Sequence, residues 1–148
     1  MRRTKAREIA LQILFSLETQ DQLQSDPGTV HSMVATYIKN FFPNIKEEIL
    51  DTPFLEKILR LLMVHVAELD SQIEKGSNNW KLQRMTKVDR NILRIGTLEL
   101  TYFTDVPIKV TIDECIELAK KFGNEESAAF INGILDHIST QVKRRGES

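Results

Sequence analysis

The stretch TPFLEKILRLLMVHVAELDSQIEKG, residues 52–76, decides the fold class. Within it Leu55, Ile58, Leu59, Leu62, Val66, Leu69 and Ile73 recur every three or four residues, a spacing that winds onto one face of an α-helix and that a pleated strand cannot reproduce. Thr52 followed by Pro53 reads as an N-cap with proline at the first helical position, where its missing N–H costs nothing. Gly76 stands where a left-handed residue would end the helix, and Ser77-Asn78-Asn79 reads as the turn beyond it.

On the N-terminal side, Ala6, Ile9, Ala10, Ile13 and Leu17 form the stripe of a first helix from Arg3 to about Gln20. Ser25-Asp26-Pro27-Gly28 breaks it, and Val30, Met33, Val34, Tyr37, Ile38 and Phe41 mark a second helix, followed by a polar connection from Asn44 to Asp51. On the C-terminal side, Trp80 to Met85 reads as a helical turn, and Thr86 with Asp89 three residues on opens a helix from Lys87 to about Phe103. Asp105-Val106-Pro107 ends that helix and Ile108-Lys109-Val110 is expected to be extended. Thr111-Ile112-Asp113-Glu114 reads as a capping box for a short helix ending at Phe122, with Gly123 beyond, and a last helix is expected from about Glu125 to Lys143. No run alternates with period two, so the expectation is an all-α fold of six or seven helices in two small bundles. It is a single domain, 1–148, with an N-terminal lobe at about 1–76 and a C-terminal lobe at about 77–143.

A chain of 148 residues, 41% hydrophobic, buries a core without disulfides or metal. Its net charge of −1 announces no nucleic-acid partner, so any basic site must be local. A single cysteine, Cys115, fits a reducing compartment, and the longest apolar run, Leu61 to Val64, is far too short to span a bilayer. The N-terminus lacks the apolar stretch of a signal peptide, so the expectation is a cytoplasmic protein with no membrane partner. Catalytic patterns are missing. His31, His65 and His137 lie on separate segments without metal-ligand spacing, no glycine-rich phosphate loop occurs, and the acids from Asp113 to Glu126 read as helix-start and solvent-face charges. No enzyme, cofactor or metal site is expected.

Charge is concentrated at the start of the chain, where Arg2, Arg3, Lys5 and Arg7 face one acid, Glu8. Arg3 and Arg7 share a helix face that continues through Leu11 to Phe15, nearly opposite the core stripe. Guanidinium groups leading to an aromatic suit single-stranded RNA, because cations pair with phosphates while a ring stacks an unpaired base. The same residues also fit a solvated basic face with Phe15 packed between the lobes. In the last helix Ile131, Ile134, Leu135 and Ile138 point one way, while Glu126, Phe130, Gly133 and His137 form a flank. Ala129 and Gly133 would admit a close backbone there, which leaves both helix packing and a second contact surface open.

Four blocks resemble the NusB family of transcription antitermination factors: Arg3 to Phe15, Lys87 to Leu100, Asp105 to Gly123, and Phe130-Ile-Asn-Gly-Ile-Leu-Asp136. They stand in the family's order across essentially the whole chain, with Gln20 to Ile73 similar only in helical pattern. The resemblance implies a two-bundle helical fold and a role in processive antitermination, especially of ribosomal RNA operons. It implies boxA RNA and ribosomal protein NusE as partners, which join the transcript leader to the antitermination complex of RNA polymerase, with the chain itself a monomer or homodimer. Carried onto this sequence, the RNA face comprises Arg2, Arg3, Lys5, Arg7, Phe15, Glu126 and Phe130, and the NusE contact comprises Asp89 and Arg90. Phe15 replaces the tyrosine of many relatives, and Ala128 and Ala129 stand where some carry a basic side chain. Two alternatives belong to other classes: a helical interaction scaffold without RNA binding, and a stand-alone relative of the NusB-like domain of RNA cytosine methyltransferases. Against the second, the expectation is that a chain ending at Ser148 leaves no room for a methyltransferase domain.

Overall fold

The computed structural model describes residues 2–142 and holds six α-helices and no strand among them. They are α1 (Arg2–Thr19), α2 (Val30–Phe41), α3 (Thr52–Gly76), α4 (Lys87–Tyr102), α5 (Ile108–Phe122) and α6 (Ser127–Gln141), with 3₁₀ turns at Pro27–Thr29 and Leu82–Arg84. Lys143, expected to end the last helix and the second lobe, lies outside the described residues. No described helix is long and apolar enough to cross a membrane.

Three helix starts show which polar group does the capping. At α4 the expected cap is present, with Thr86 Oγ1 accepting the amide of Asp89 at 3.0 Å. At α3 the cap is Asp51 rather than Thr52, since its Oδ1 accepts the amide of Phe54 at 3.0 Å. At α5 the helix begins one turn before the expected box, because Pro107, extended at φ −58° and ψ 143°, sets the entry itself. Ile108 to Val110 are therefore helical, and the Thr111 hydroxyl instead donates to Glu99 Oε1 at 3.0 Å in the interior.

The chain divides into two compact units between His65 and Val66, inside α3. In the first unit Ile9, Ile13 and Leu14 of α1, Val30 and Val34 of α2, and Leu55, Ile58, Leu59 and Leu62 of α3 are buried. Of the α2 stripe only those two valines are fully covered, and Phe41 is 64% exposed with its ring 4.6 Å from Tyr37. The Tyr37 hydroxyl donates to Gln12 Oε1 at 3.2 Å, and partial burial pushes its pKa up.

In the second unit α4 is the central element, with α5 and α6 packed on it and on each other. Every residue from Asn91 to Leu100 is buried, so its polar members need internal partners. Arg94 is held by Asp70 through both oxygens, at 2.8 and 3.0 Å, and by Asn91 at 3.0 Å. Gly96 sets the closeness of the three helices: a Cβ there would meet Leu135 Cδ1 at 2.8 Å and Cys115 Sγ at 3.1 Å. Gly76 is still helical and also serves closeness, since a Cβ would meet Ile138 Cγ1 at 2.9 Å. The left-handed residues of the following turn are Asn78 and Asn79, at φ 57° and 64°.

Candidate nucleic-acid interface

In the first unit the opening turn of α1 gathers the basic residues over two aromatic rings. Arg2 is exposed and its guanidinium donates to the carbonyls of Leu50 at 3.2 Å and Glu47 at 3.4 Å. Arg3, with 44% of its side chain exposed, pairs loosely with Asp51 at 3.4 Å and sits 4.4 Å from the centre of the Phe54 ring. Lys5 pairs with Glu8 at 3.4 Å and lies 5.5 Å from the Phe42 ring.

Arg7 departs from the expected surface row, being 2% exposed with its guanidinium 5.0 Å from the Phe54 ring centre. Leu11 is also buried. The face expected to run from Arg3 to Phe15 is thus open at its ends and covered in its middle, because Phe54 at the start of α3 comes against it. Phe15 itself is 41% exposed, as its place opposite the core stripe requires. From Arg3 to Phe15 along α1 the distance is roughly 18 Å at the helical rise per residue.

In the second unit Glu126 precedes α6 without using its carboxylate as a cap. That work falls to Asn124 and Ser127, whose side chains hydrogen-bond at 3.2 Å while Asn124 Oδ1 also accepts the Glu126 amide at 2.9 Å. Phe130 is half-buried and packs edge-on against Trp80, ring centres 5.8 Å apart and 72° between planes. Trp80, which the sequence assigned only to a turn, has 51% of its surface in solvent. Gly133 has no atom within 4 Å of where a Cβ would stand, so no backbone in the described residues uses the close approach expected of it and Ala129.

Asp89 and Arg90 occupy the first turn of α4. Asp89 is 7% exposed, and its buried Oδ1 makes no hydrogen bond among the described residues. Arg90 Nη1 donates to the carbonyls of Met85 at 3.0 Å and Leu82 at 3.4 Å, which ties the 3₁₀ turn to α4. The described residues contain no group of His, Cys, Asp or Glu able to hold a metal ion.

The model of the NusB family matches residues 4–140. The chain belongs to the NusB family. A curated relative, the transcription antitermination protein NusB of Anaeromyxobacter dehalogenans (strain 2CP-1 / ATCC BAA-258), is 42% identical over 99% of this chain and 97% of its own length. Among solved structures, T. maritima NusB aligns with TM-score 0.74 and 32% identity over 96% of this chain and 93% of that one. A crystal structure of the antitermination factors NusB and NusE in complex with dsRNA aligns with TM-score 0.77 and 26% identity over 95% and 97% of the two chains. NusB proteins are transcription antitermination factors and not enzymes. The four blocks that carry the NusB resemblance fall on α1, α4, the turn into α5 with α5 itself, and α6. The stretch similar only in pattern covers α2 and most of α3.

Proposed function

We propose that the chain is a cytoplasmic transcription antitermination factor that binds boxA RNA together with NusE and so supports transcription of ribosomal RNA operons. The observation that carries this reading is the opening of α1, where Arg2, Arg3 and Lys5 remain at the surface around Phe42 and Phe54 while Phe15 projects from the same helix. Cations at the start of a helix and an open ring three turns further along it fit an extended single strand: phosphates take the guanidinium and ammonium groups, and a base takes the ring. Phe15 keeps the stacking surface of the tyrosine it replaces and lacks only the hydroxyl. The NusB–NusE complex with dsRNA supports the two partners.

Arg7 enters this reading as a support that holds Phe54 from below, with the phosphate contacts falling to Arg2, Arg3 and Lys5. Glu126 and Phe130 are the RNA contacts of the second unit. Asp89 and Arg90, on the first turn of α4, are the partner-binding pair, with the Arg90 guanidinium held against the Leu82–Arg84 turn beside Asp89. The complex joins the transcript leader to elongating RNA polymerase. Self-association over the α1 surface competes with RNA by mass action, and sedimentation velocity at several concentrations separates monomer from homodimer.

The test is a titration of labelled boxA-like RNA, with and without NusE. Phe15→Ala is expected to weaken binding about tenfold, the worth of one stacked base. An affinity that does not move for Phe15→Ala or for the double substitution of Arg2 and Arg3 by alanine removes α1 from the interface.

A further inference from the structure

We infer that Trp80, flanked by Lys81 and Arg84, forms a separate subsite for one unpaired nucleotide of RNA, stacking its base while the two cations take the adjoining phosphates. The inference rests on the RNA-binding reading above and adds Trp80, Lys81 and Arg84, none of them among the residues assigned to RNA so far, beside Phe130 of the α6 flank.

The local sequence builds a rigid platform. Asn78 and Asn79 in left-handed geometry turn the chain sharply after α3. The amide of Asn79 donates to the Glu74 carbonyl at 2.7 Å, the Ser77 hydroxyl donates to the Trp80 carbonyl at 3.1 Å, and the amide of Leu82 donates to Glu74 Oε2 at 3.0 Å. These bonds fix the backbone that carries the indole, which lowers the entropy cost of stacking. Phe130 braces the ring edge-on, and half of the side chain stays in solvent.

The surroundings decide the ligand class. Trp80 borders an open depression of about 420 Å³ lined also by Ser77, Asn78, Asn79, Lys81 and Arg84. That volume lies within the range of sites for small organic ligands, so a nucleotide fits. Lys81 and Arg84 are exposed, and among the described residues neither side chain makes a hydrogen bond or ion pair. No acid among the described residues lines the depression, and the carboxylate of Glu74, in the last turn of α3, accepts the Leu82 amide. A base has a π-face for the indole and edges for the amide and hydroxyl groups of the turn, and its phosphates answer the two cations. An apolar protein side chain would answer the ring and leave the cations unmatched.

Trp80 is the only tryptophan, so its emission reports on this site alone. Titration of the full chain with labelled boxA-like RNA, read by anisotropy of the RNA and by indole fluorescence, is expected to quench the indole in step with binding. Trp80→Ala is expected to weaken binding about tenfold, and Trp80→Phe to restore most of the loss. Lys81→Ala and Arg84→Ala are each expected to lower the salt slope by about 0.7. RNA binding with unchanged emission and an unchanged affinity for Trp80→Ala overturns the subsite and leaves the proposed function standing. Emission that responds to NusE and not to RNA makes the site a protein contact and overturns it too. No RNA binding by the wild type, with or without NusE, overturns the subsite together with the reading it rests on.

Discussion

Arg94 on α4 and Arg3 on α1 each face a carboxylate, Asp70 and Asp51, but the two pairs differ in kind. Arg94 makes two parallel hydrogen bonds with a guanidinium that is 6% exposed, while Arg3 makes one contact at 3.4 Å with nearly half its side chain in water. In the first case both ions are fixed by geometry that water cannot easily replace. In the second, water or an incoming phosphate can displace the acid at little cost. The same residue type thus serves the interior of one unit and the proposed RNA surface of the other, and the partner's distance and solvent access separate the two settings.

Removing Arg94 tests the interior side and carries the largest effect. Arg94→Ala leaves Asp70 and Asn91 without their donor and is expected to lower stability by about 3 kcal/mol in urea denaturation, while RNA affinity of the folded fraction stays unchanged. A loss under about 1 kcal/mol would make the pair no more than a surface contact. Removing Arg3 tests the other side. Arg3→Ala is expected to cost less than about 1 kcal/mol of stability and to lower the salt slope of RNA binding by about 0.7. If it unfolds the protein as Arg94→Ala does, the contrast collapses.

The smallest effect lies at the end of α4, where the Tyr102 hydroxyl donates to Glu68 Oε2 at 2.6 Å. That hydrogen bond, with some burial and the charge of Glu68, raises the Tyr102 pKa from 10.0 to about 12. Folding therefore favours the neutral phenol. The stabilisation is complete below pH 10 and is lost as pH rises from there through about 12. Thermal melts across that window should show a shallower pH dependence for Tyr102→Phe than for the wild type, and identical slopes would assign no such linkage to this tyrosine.

What the sequence made legible was whatever local spacing controls. The stripes of α1, α3 and α4, the Thr86 cap and the outward place of Phe15 all follow from residues within a few turns of one another. The misread positions involve distant partners. Arg7 and Leu11 sit on the expected outer face, but Phe54, in a different helix, comes against Arg7. Thr111 has the form of a cap until Glu99, a residue of the preceding helix, takes its hydroxyl. Phe41 continues the α2 stripe by spacing, yet the core of its unit ends before it. In the candidate site the cations and Phe15 could be read from composition and a helical wheel, whereas Trp80 could not, because its neighbour Phe130 lies fifty residues away. A lone tryptophan after two asparagines was the one available hint.

Cys115 lies wholly buried on α5, its sulfur 3.9 Å from the Ile92 carbonyl and beside the gap that Gly96 leaves. The molecule thus carries one thiol, sealed where three helices meet. A water-soluble thiol reagent reaches it only while those helices part, so the rate of its modification times their opening. The second unit contains its own clock, and bound partners that tighten α4, α5 and α6 would slow it.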